Sequence, residues 1–516
     1  MVDDMANKGW QRISLVGVIY YVVRILQVLL SNILYLIPAL YISSDKISQR
    51  PELLQTIVMV TFALIGLFAL LNYYFFQYRL TTQQLEIRSG VFSKKRIDLP
   101  FERIQNIEVC EPLYYRPLNY CYLQFDTAGS SAQEAKIVAI SLTKATALKA
   151  KILAYNEAQR TDESDQETPE SGQSEELSAP LEKETTMNLR NIDDLVLHGL
   201  SSNRAWIILA GLAPFIDNVG EAVAQFMLRN GINVEQYFAF EGMTWWQIGL
   251  TLITVTFTTI FIMSLISVIG SVIVYYNFEL SKQGDRYIRR CGLFTVTEVS
   301  MRLSRLQVIV RQQDWLDVLF RRSNLRFEQS NANTRVKPGA SLTNKILVPS
   351  VTIEEAQNLV ADAYPTNRLF DIPFQRISPR YLLRNMGLFA LPPYLLLIGL
   401  FIYHQDTTAT LYATAAIVVL VMLMVLRYLR WGYATDDNFI YIRKGCLGVD
   451  HYCFARHKMQ QLSVRQTPLT KRHQLCSLKL VLASGSYTIP YISEQEAYKL
   501  ANDSLYRLEK WKASWM

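Results

Sequence analysis

The sequence has few of the residues and motifs that mark an enzyme or a secreted protein. Its 516 residues include six cysteines and five histidines, and no two cysteines form a C-x-x-C pair. The patterns G-x-x-x-x-G-K-[ST], G-x-S-x-G, H-E-x-x-H and G-x-G-x-x-G do not occur. Isolated thiols suit buried positions in a reducing compartment better than a disulfide framework. We therefore expect no enzymatic activity, no catalytic residue and no cofactor.

One spacing suggests a metal site. His451, Cys453 and His457 form the pattern H-x-C-x3-H, which would place all three on one side of a regular strand. A fourth ligand is not evident, and the other two copies of the repeat described below have different residues at these positions. We interpret the three as ordinary strand residues and expect no bound metal.

Long apolar segments, by contrast, are abundant. Half of the residues are hydrophobic, and the mean hydropathy is +0.11. A helix of about 20 apolar residues crosses the core of a bilayer. Six segments are candidates, at about 14–42, 54–76, 205–228, 246–276, 382–403 and 410–429. They form three pairs, which predicts transmembrane hairpins at 14–76, 205–276 and 382–429, each followed by a soluble block.

The distribution of Lys and Arg predicts the orientation. Bases such as Arg12, Arg79, Arg376 and Arg427 flank the span ends that face the soluble blocks, whereas the opposite loops have few. Positively charged flanks stay on the cytoplasmic side. We therefore predict a multi-pass protein of the cell (inner) membrane, with both termini and all soluble domains in the cytoplasm.

Two ionisable residues fall inside the predicted spans. Arg24 lies in the first span, and Asp217 lies in the third, three residues after Pro214. Such groups are costly in a bilayer and are candidates for function. They either pair or reach the interface and stabilise the bundle, or they form part of an ion path.

An internal repeat is the strongest signal in the chain. Gly90, Gly292 and Gly445 anchor three copies, each with a base two residues before the glycine. Fifteen residues after each glycine there is a glutamine, and sixteen further there is a small residue followed by leucine two positions on. The matching residues are Gln105, Gln307 and Gln460, then Cys121, Ser323 and Cys476, then Leu123, Leu325 and Leu478.

Each copy has the pattern of a small β domain. The segments LEIRS, YIRRC and IYIRK alternate apolar and polar residues as half-buried strands do, and the anchor glycine then permits a turn. Later strands follow, and a helix closes each block. Capping boxes at Thr352 with Glu355 and at Ser493 with Glu496 predict two of the helix starts. The expected fold is therefore a membrane-anchored α+β protein with three small β-barrels, each with a C-terminal helix.

The repeat, placed after transmembrane hairpins, resembles the bacterial pleckstrin-homology-like (PH-like) domain of the YdbS/YdbT-like membrane proteins. The three-copy, six-helix layout is similar to a YdbT-like member and covers nearly the whole chain outside an acidic linker. The resemblance implies PH-like domains at 77–155, 277–364 and 430–512. The middle copy departs most, because it contains the longer insertion RVKPGASLTNK.

The acidic linker is predicted at 156–196. It contains 12 acidic and 3 basic residues, so the rest of the chain is more basic than the formal net charge of +7. Few aromatic residues and high charge predict disorder here. The basic remainder favours an anionic partner, and the apolar spans favour membrane lipid over nucleic acid.

The basic turns of the repeat are the candidate lipid-binding residues. PH folds often bind phosphate headgroups at the first strand-turn-strand, and the resemblance extends this role to the turns here. Positive-inside bias alone, or unspecific contact with anionic lipid, would explain the same charges. The candidates are Arg88, Lys94, Lys95, Arg96, Arg289, Arg290, Arg443 and Lys444.

Two classes of function remain. The first is a non-enzymatic membrane scaffold whose three cytoplasmic PH-like domains bind one another, a partner protein or anionic lipid. The resemblance links this class to envelope maintenance or resistance to membrane-active peptides. The second is a transporter or export component that uses the six-helix bundle. Membrane lipids and either a protein partner or self-association are the expected interactions.

Overall fold

A computed structural model describes residues 9–31, 51–127, 135–164, 184–202, 228–229, 244–329, 345–404 and 407–511. These residues form a mixed α+β protein, which confirms the predicted combination of membrane helices with several sheets. The chain divides into two compact units. Unit 1 contains 1–185, 281–302 and 331–343, and unit 2 contains 186–280, 303–330 and 344–516.

Four helices of the described residues are long and apolar enough to cross a bilayer. The segments are Val58–Phe75, Trp245–Tyr275, Arg380–Tyr403 and Thr410–Arg430. At most 11% of the residues in each apolar window are buried within the protein, so these surfaces need an apolar solvent. A shorter apolar helix spans Gly17–Leu29. Most of the predicted span 205–228 and residues 32–42 of the first span lie outside the described residues.

The helices are numbered here in chain order. They are α1 Gly17–Ser31, α2 Pro51–Phe75, α3 Leu142–Ser164, α4 Ile192–Ser201, α5 Trp245–Tyr275, α6 Trp315–Leu319, α7 Ile353–Ala363, α8 Arg380–Asn385, α9 Leu391–His404, α10 Thr407–Arg430, α11 Pro468–Lys471 and α12 Glu494–Trp511. A π-helical turn, Met386–Ala390, joins α8 to α9.

The strands follow the repeat. The first copy contains β1 Gln11–Arg12, β2 Gln77–Leu80, β3 Gln84–Ser89, β4 Lys95–Pro100, β5 Ile104–Pro112, β6 Tyr120–Thr127 and β7 Ala135–Ser141. The second contains β8 Thr185–Leu189, β9 Glu279–Gln283, β10 Arg286–Cys291, β11 Thr295–Arg302, β12 Leu306–Gln313, β13 Ser323–Gln329 and β14 Lys345–Val351. The third contains β15 Gly432–Thr435, β16 Phe439–Lys444, β17 Val449–Ala455, β18 Met459–Arg465, β19 Leu475–Leu482 and β20 Gly485–Ser493.

The anchor glycines occupy the same turn in all three copies. Gly90 and Gly292 have φ angles of +104° and +125°, which favour glycine. A Cβ at Gly90, Gly292 or Gly445 would lie 1.9, 2.1 or 2.0 Å from the carbonyl oxygen three residues later. Each turn joins two antiparallel strands, β3 to β4, β10 to β11 and β16 to β17. The glycines are therefore required by close backbone packing.

The repeated glutamines mark a second shared feature. After each hairpin comes one 3-10 turn, Phe101–Arg103, Leu303–Arg305 or Arg456–Lys458. The next strand has a register shift at the glutamine, which lies between the paired positions on either side. A bulge of this kind bends the strand. The gap-free spacing from glycine to glutamine thus preserves the length of the hairpin and the position of the bend.

The closing helices begin where their capping signals predict. Thr352 and Glu355 form the capping box of α7, with the Glu355 amide donating to the Thr352 hydroxyl over 3.3 Å. The amide of Glu496 donates to the Ser493 hydroxyl over 3.2 Å at the start of α12. Both expected caps are confirmed.

The sheets run across the boundaries between repeats. Strand order is β1-β2-β3-β4, then β7-β6-β5-β11-β10-β9-β8, then β14-β13-β12-β17-β16-β15, and finally β18-β19-β20. The second half of repeat 1 thus pairs with the hairpin of repeat 2, and the second half of repeat 2 pairs with the hairpin of repeat 3. The sequence predicts three small β-barrels, which would give each hairpin a sheet within its own repeat. Two of the three hairpins instead share a sheet with the preceding repeat.

The two joints between repeats have the same register. Thr297, five residues after its anchor glycine, pairs with Cys110, twenty residues after the preceding one. Asp450 and Gln312 hold the same two positions in the second joint and are also paired. We call these pairings, β11 with β5 and β17 with β12, the repeat joints. Strand β4 has no joint with a preceding repeat and β18 has none with a following one, so among the described strands both are terminal in their sheets.

Each unit contains an apolar core. In unit 1 the buried cluster includes Leu85, Ile107, Phe125 and Ile152, from both halves of repeat 1 and from α3. In unit 2 the cluster joins Val310 of β12 to residues of repeat 3 such as Phe454 and Leu478. The second core therefore forms on both sides of a repeat joint.

The boundaries of the acidic linker differ from the prediction of 156–196. Helix α3 continues to Ser164, strand β8 occupies Thr185–Leu189, and α4 begins at Ile192. Residues 165–183 lie outside the described part of the chain. Residues 184–196 are ordered by contacts with other segments, which composition alone does not reveal. Arg190, for example, is buried.

Candidate functional site

The first basic turn contains exposed cations. Lys94 and Lys95 are exposed, and Arg88 lies with its guanidinium carbon 3.8 Å from the ring centroid of Trp10. Arg96 donates to Asp98 over 3.0 Å. Lys94 and Lys95 make no ion pair with any described residue, so their charge is available to a ligand.

In the second turn the charges are already compensated or buried. Arg289 is 4% exposed. Arg290 pairs with Glu184 and, over 2.7 Å, with Glu298. The hydrogen bond from Arg290 lowers the pKa of Glu184 below its ordinary value. These two bases contribute to the structure of the sheet.

In the third turn the bases lie against aromatic rings. Arg443 is 5.0 Å from the ring centroid of Phe374, and Lys444 is 4.4 Å from that of Tyr452. Burial is the main cause that lowers the pKa of each of the two bases. The structure therefore places the most accessible of the eight candidate bases in the first turn.

An open cavity of about 640 Å³ lies beside that first turn, within unit 1. Its wall comes from α1, from the end of α2, from the anchor turn and from the sheet that contains β5, β6 and β7. We call it the turn-1 cavity. The lining that the argument uses is Tyr20, Arg24, Lys95, Tyr114, Tyr122 and Lys136.

Three cations line the turn-1 cavity, and each comes from a different element. Arg24 is on α1, Lys95 begins β4, and Lys136 is on β7. The described lining contains no carboxylate. Glu108, on a neighbouring strand, is buried and accepts a hydrogen bond from Gln124 over 2.7 Å. The cavity is therefore positively charged.

Aromatic side chains hold Lys136 in place. Its Nζ lies 4.0 Å from the ring centroid of Tyr122 and donates to the Tyr20 hydroxyl over 3.3 Å. Burial raises the pKa of Tyr114 to about 12, and burial also raises the pKa of Tyr122. Both phenols remain protonated near neutral pH. The Tyr114 hydroxyl can donate to an anion, whereas the Tyr122 hydroxyl is already hydrogen-bonded to the Cys110 thiol.

The turn-1 cavity lies where an apolar helix pair meets the β-strands of repeat 1. Helices α1 and α2 pack against each other, and the apolar window of α2 ends at Phe75, two residues before β2 begins. Asn72 and Phe76, at this end of α2, line the cavity. A span that ends at Phe75 would place these residues near the headgroup level.

A second cavity, of about 240 Å³, lies within unit 2. Its arginines are neutralised, because Arg507 is 2.7 Å from Asp437 and Arg456 pairs with Asp503. This cavity has less free positive charge than the turn-1 cavity and is the weaker candidate for an anion site.

Comparison with known proteins agrees with this architecture. The model of the bacterial PH domain family matches residues 21–156 and 387–508, half of the chain. The chain belongs to the bacterial PH domain family. It is similar to the UPF0699 transmembrane protein YdbT of Bacillus subtilis (strain 168), with 21% identity over 434 residues. The alignment covers 82% of this chain and 83% of the relative. The predicted resemblance is confirmed, and the protein is a membrane protein with bacterial PH domains.

Sequence reasoning identified part of the site in this PH-domain protein. Arg24 and Lys95 were singled out separately, as an intramembrane charge and as a turn base, and the structure brings them to one cavity. Lys136 and the tyrosines were missed, because no local pattern distinguishes them from other strand and helix residues. Asp217, the second intramembrane charge, lies outside the described residues.

Proposed function

We propose that this protein is a non-enzymatic membrane scaffold, in which PH-like modules connect to one another and to further modules by edge-to-edge strand pairing. In this proposal six helices form three hairpins, and the domains at 77–155, 277–364 and 430–512 lie at the cytoplasmic face. Basic residues beside the spans support that orientation, because such residues remain on the cytoplasmic side. Contact with the anionic inner leaflet then accompanies assembly.

The observation that carries the proposal is the repeat joint. The same antiparallel register occurs twice within the chain, between β5 and β11 and between β12 and β17. Strands β4 and β18 correspond to the two sides of such a joint, and each pairs with a single neighbour among the strands that the structure describes. An edge strand presents unpaired backbone groups to another strand. A further PH-like module is therefore the partner that these edges fit.

The charges at the two edges favour a different chain over a second copy. If β4 and β18 of two copies paired in the register of the repeat joints, Lys95 would lie opposite Arg465. The equivalent pairs within the chain are Thr297 with Cys110 and Asp450 with Gln312. Like charges directly opposite each other destabilise a strand pair. A partner with an acidic or neutral residue at this position avoids the repulsion.

Charge reversal at Arg465 tests both the register and the partner choice. In neutral detergent we expect the wild-type chain to be monomeric and the variant R465E, which places a carboxylate opposite Lys95, to self-associate. The swap of a repulsive for an attractive pair is worth about 1–2 kcal/mol, roughly tenfold in the association constant. Mass photometry over a concentration series measures it. The double variant K95E/R465E should return to the monomer, since the like-charge pair is restored.

R472E is the matched control, because Arg472 is exposed but follows α11 instead of lying on β18. It should leave the mass distribution unchanged. If R465E and R472E behave alike, or if K95E/R465E associates as strongly as R465E, the edge-pairing proposal is wrong. Purification from native membranes gives the second readout, in which the wild-type chain should retain a companion with a PH-like module and R465E should alter its yield.

A further inference from the structure

We propose that the turn-1 cavity binds a phosphate-bearing anion, with the headgroup of an anionic phospholipid as the source at the inner leaflet. Arg24, Lys95 and Lys136 would contact the phosphate. The tyrosines would surround the part of the lipid next to the phosphate. This inference makes the lipid contact of the proposed function specific. The membrane location of the site rests on the proposed function. The choice of a phosphate-bearing ligand rests on the cavity alone.

The charge of the cavity selects the ligand class. Three cations converge from α1, β4 and β7, and the described lining offers no carboxylate to neutralise them. Arg24 and Lys95 are exposed and make no ion pair with any described residue. Three bases around one open volume favour a group with several anionic oxygens, and arginine matches phosphate geometry with two donors.

The hydrogen-bonding groups of the wall also suit a phosphate ester. The hydroxyl of Tyr114 and the amide of Asn72 line the same cavity. The Asn72 amide donates one hydrogen to the Phe68 carbonyl over 2.8 Å and has a second hydrogen for a ligand oxygen. Lys136 is positioned by its contacts with Tyr20 and Tyr122 before any ligand binds. A positioned donor loses less freedom on binding than a mobile one.

The position of the cavity favours a lipid over a soluble ligand. Helices α1 and α2 form one wall, and the apolar part of α2 ends there. The acyl chains of a phospholipid could continue along the exposed apolar surface of this helix pair, which includes Phe68 and Leu64 of α2. Tyrosines at such a level are typical of the bilayer interface.

The turn-1 cavity differs from the basic turns of the other two repeats. Arg290 already pairs with two carboxylates, and Arg443 and Lys444 lie against aromatic rings. Their equivalent in repeat 1, by contrast, combines a turn lysine with bases from a helix and a distant strand. One such site is therefore expected among the described residues, and it should depend on Arg24 and Lys136 as much as on Lys95.

Native mass spectrometry of the full-length protein in a neutral detergent tests the site. Short-chain phosphatidylglycerol is the lipid probe, phosphatidylcholine the zwitterionic comparison and glycerol phosphate the soluble probe. Each of R24Q, K95Q and K136Q should weaken phosphatidylglycerol binding about fivefold, equivalent to about 1 kcal/mol per charge. The triple variant should lose roughly a hundredfold. K94Q is the matched control, because Lys94 is an exposed neighbour outside the lining, and it should bind as the wild type does.

The outcomes separate the possible sources. Binding of phosphatidylglycerol that requires all three bases, with weak competition by glycerol phosphate, supports a lipid site. Binding of glycerol phosphate alone, with the same dependence on the bases, supports the phosphate chemistry and assigns it to a soluble ligand. Equal binding by the triple variant and the wild type, or equal loss in K94Q and K95Q, overturns the proposal. Lys95 belongs to both proposals, but R465E leaves the cavity lining unchanged, and R24Q and K136Q leave both strand edges unchanged. These single variants therefore make failure of one proposal distinguishable from failure of the other.

Discussion

The Nζ of Lys149 lies 2.5 Å from Oε1 of Glu298 and connects two repeats of one chain. Lys149 belongs to α3, the closing helix of the first repeat, whereas Glu298 belongs to β11, in the hairpin of the second. Arg290 contacts the other oxygen of the same carboxylate over 2.7 Å. The ion pair thus supports a repeat joint that is also held by backbone hydrogen bonds and by the Ser300 hydroxyl, which donates to the Asn106 side chain over 3.1 Å.

Removal of the Lys149 charge should weaken unit 1. K149M keeps the length of the side chain but leaves Glu298 with one cationic partner, and we expect a loss of about 1–2 kcal/mol. Thermal unfolding of the full-length protein in detergent measures the loss. K144M is the control, because Lys144 is an exposed residue of the same helix. Equal melting temperatures for the two variants would contradict a stabilising role for the pair.

The same carboxylate should make unit 1 sensitive to acid. Burial raises the pKa of Glu298, but Lys149 and Arg290 together outweigh burial and hold it below its ordinary value. A lowered pKa contributes stability that is present above the ordinary carboxyl pKa and is lost as pH falls through the lowered value. E298Q should therefore flatten the dependence of the melting temperature on pH in the acidic range. If E298Q and the wild type showed the same pH dependence of the melting temperature, Glu298 would have the same pKa in the folded and unfolded states, and the prediction would be wrong.

A side chain at the first anchor glycine should destabilise the hairpin. Gly90 has a φ of +104°, and an added Cβ would lie 1.9 Å from the carbonyl oxygen of Ser93. We expect G90A to cost at least about 2 kcal/mol, from backbone strain and from the shift of the turn. G66A is the control, since no heavy atom lies within 4 Å of a Cβ at Gly66. Thermal unfolding that ranks the two variants equally would exclude the proposed steric cause.

Arg190 should be essential to unit 2. Its side chain is 1% exposed and lies 2.7 Å from Glu355, and it also donates to the Ser350 carbonyl over 3.2 Å. R190M leaves a carboxylate and a buried carbonyl without this partner, which should cost about 3 kcal/mol. E354Q, at the exposed neighbour of Glu355, should be neutral. Proteolysis of the folded protein measures the difference, and similar resistance of R190M and E354Q would contradict the prediction.

His451 should give unit 2 a separate acid sensitivity. Burial, and then the positive charges of Arg311 and Arg443, lower the pKa of His451 from 6.5 to about 3. At a pH between these two pKa values, His451 is protonated in the unfolded chain but neutral in the folded chain. The free energy of unfolding therefore falls as pH falls below about 6.5. H451Q should remove this part of the pH dependence of the melting temperature, whereas H473Q, at an exposed position, should retain it. An identical slope in H451Q and the wild type would disprove the assignment.

The local features of the repeat could be predicted from sequence, because single residues determine them. Gly90 and its equivalents are required by a close carbonyl, and Thr352 and Ser493 cap helices with their own side chains. The alternation of apolar and polar residues predicted the positions of β3, β10 and β16, because each of these strands has one buried face. The membrane character and the PH-domain family followed from the apolar segments and the spacing of the anchors.

The joints and the turn-1 cavity could not be predicted, because they depend on contacts between distant segments. Backbone hydrogen bonds form the pairing of β5 with β11, and the paired residues, such as Glu111 with Val296, have no shared pattern. Lys136 is one of many lysines in the sequence, and its importance arises from the position of β7 beside α1. The boundaries of the acidic linker shifted for a related reason, since β8 acquires its order from β9 in a shared sheet.

The sharing of sheets between successive repeats separates the unit of duplication from the unit of folding. A cut at the sequence boundary between repeats would divide a sheet and expose two new edges, whereas an added or removed copy would reproduce joints that already exist. A gene for such a chain can lengthen or shorten by whole copies while its two outermost strands stay the same.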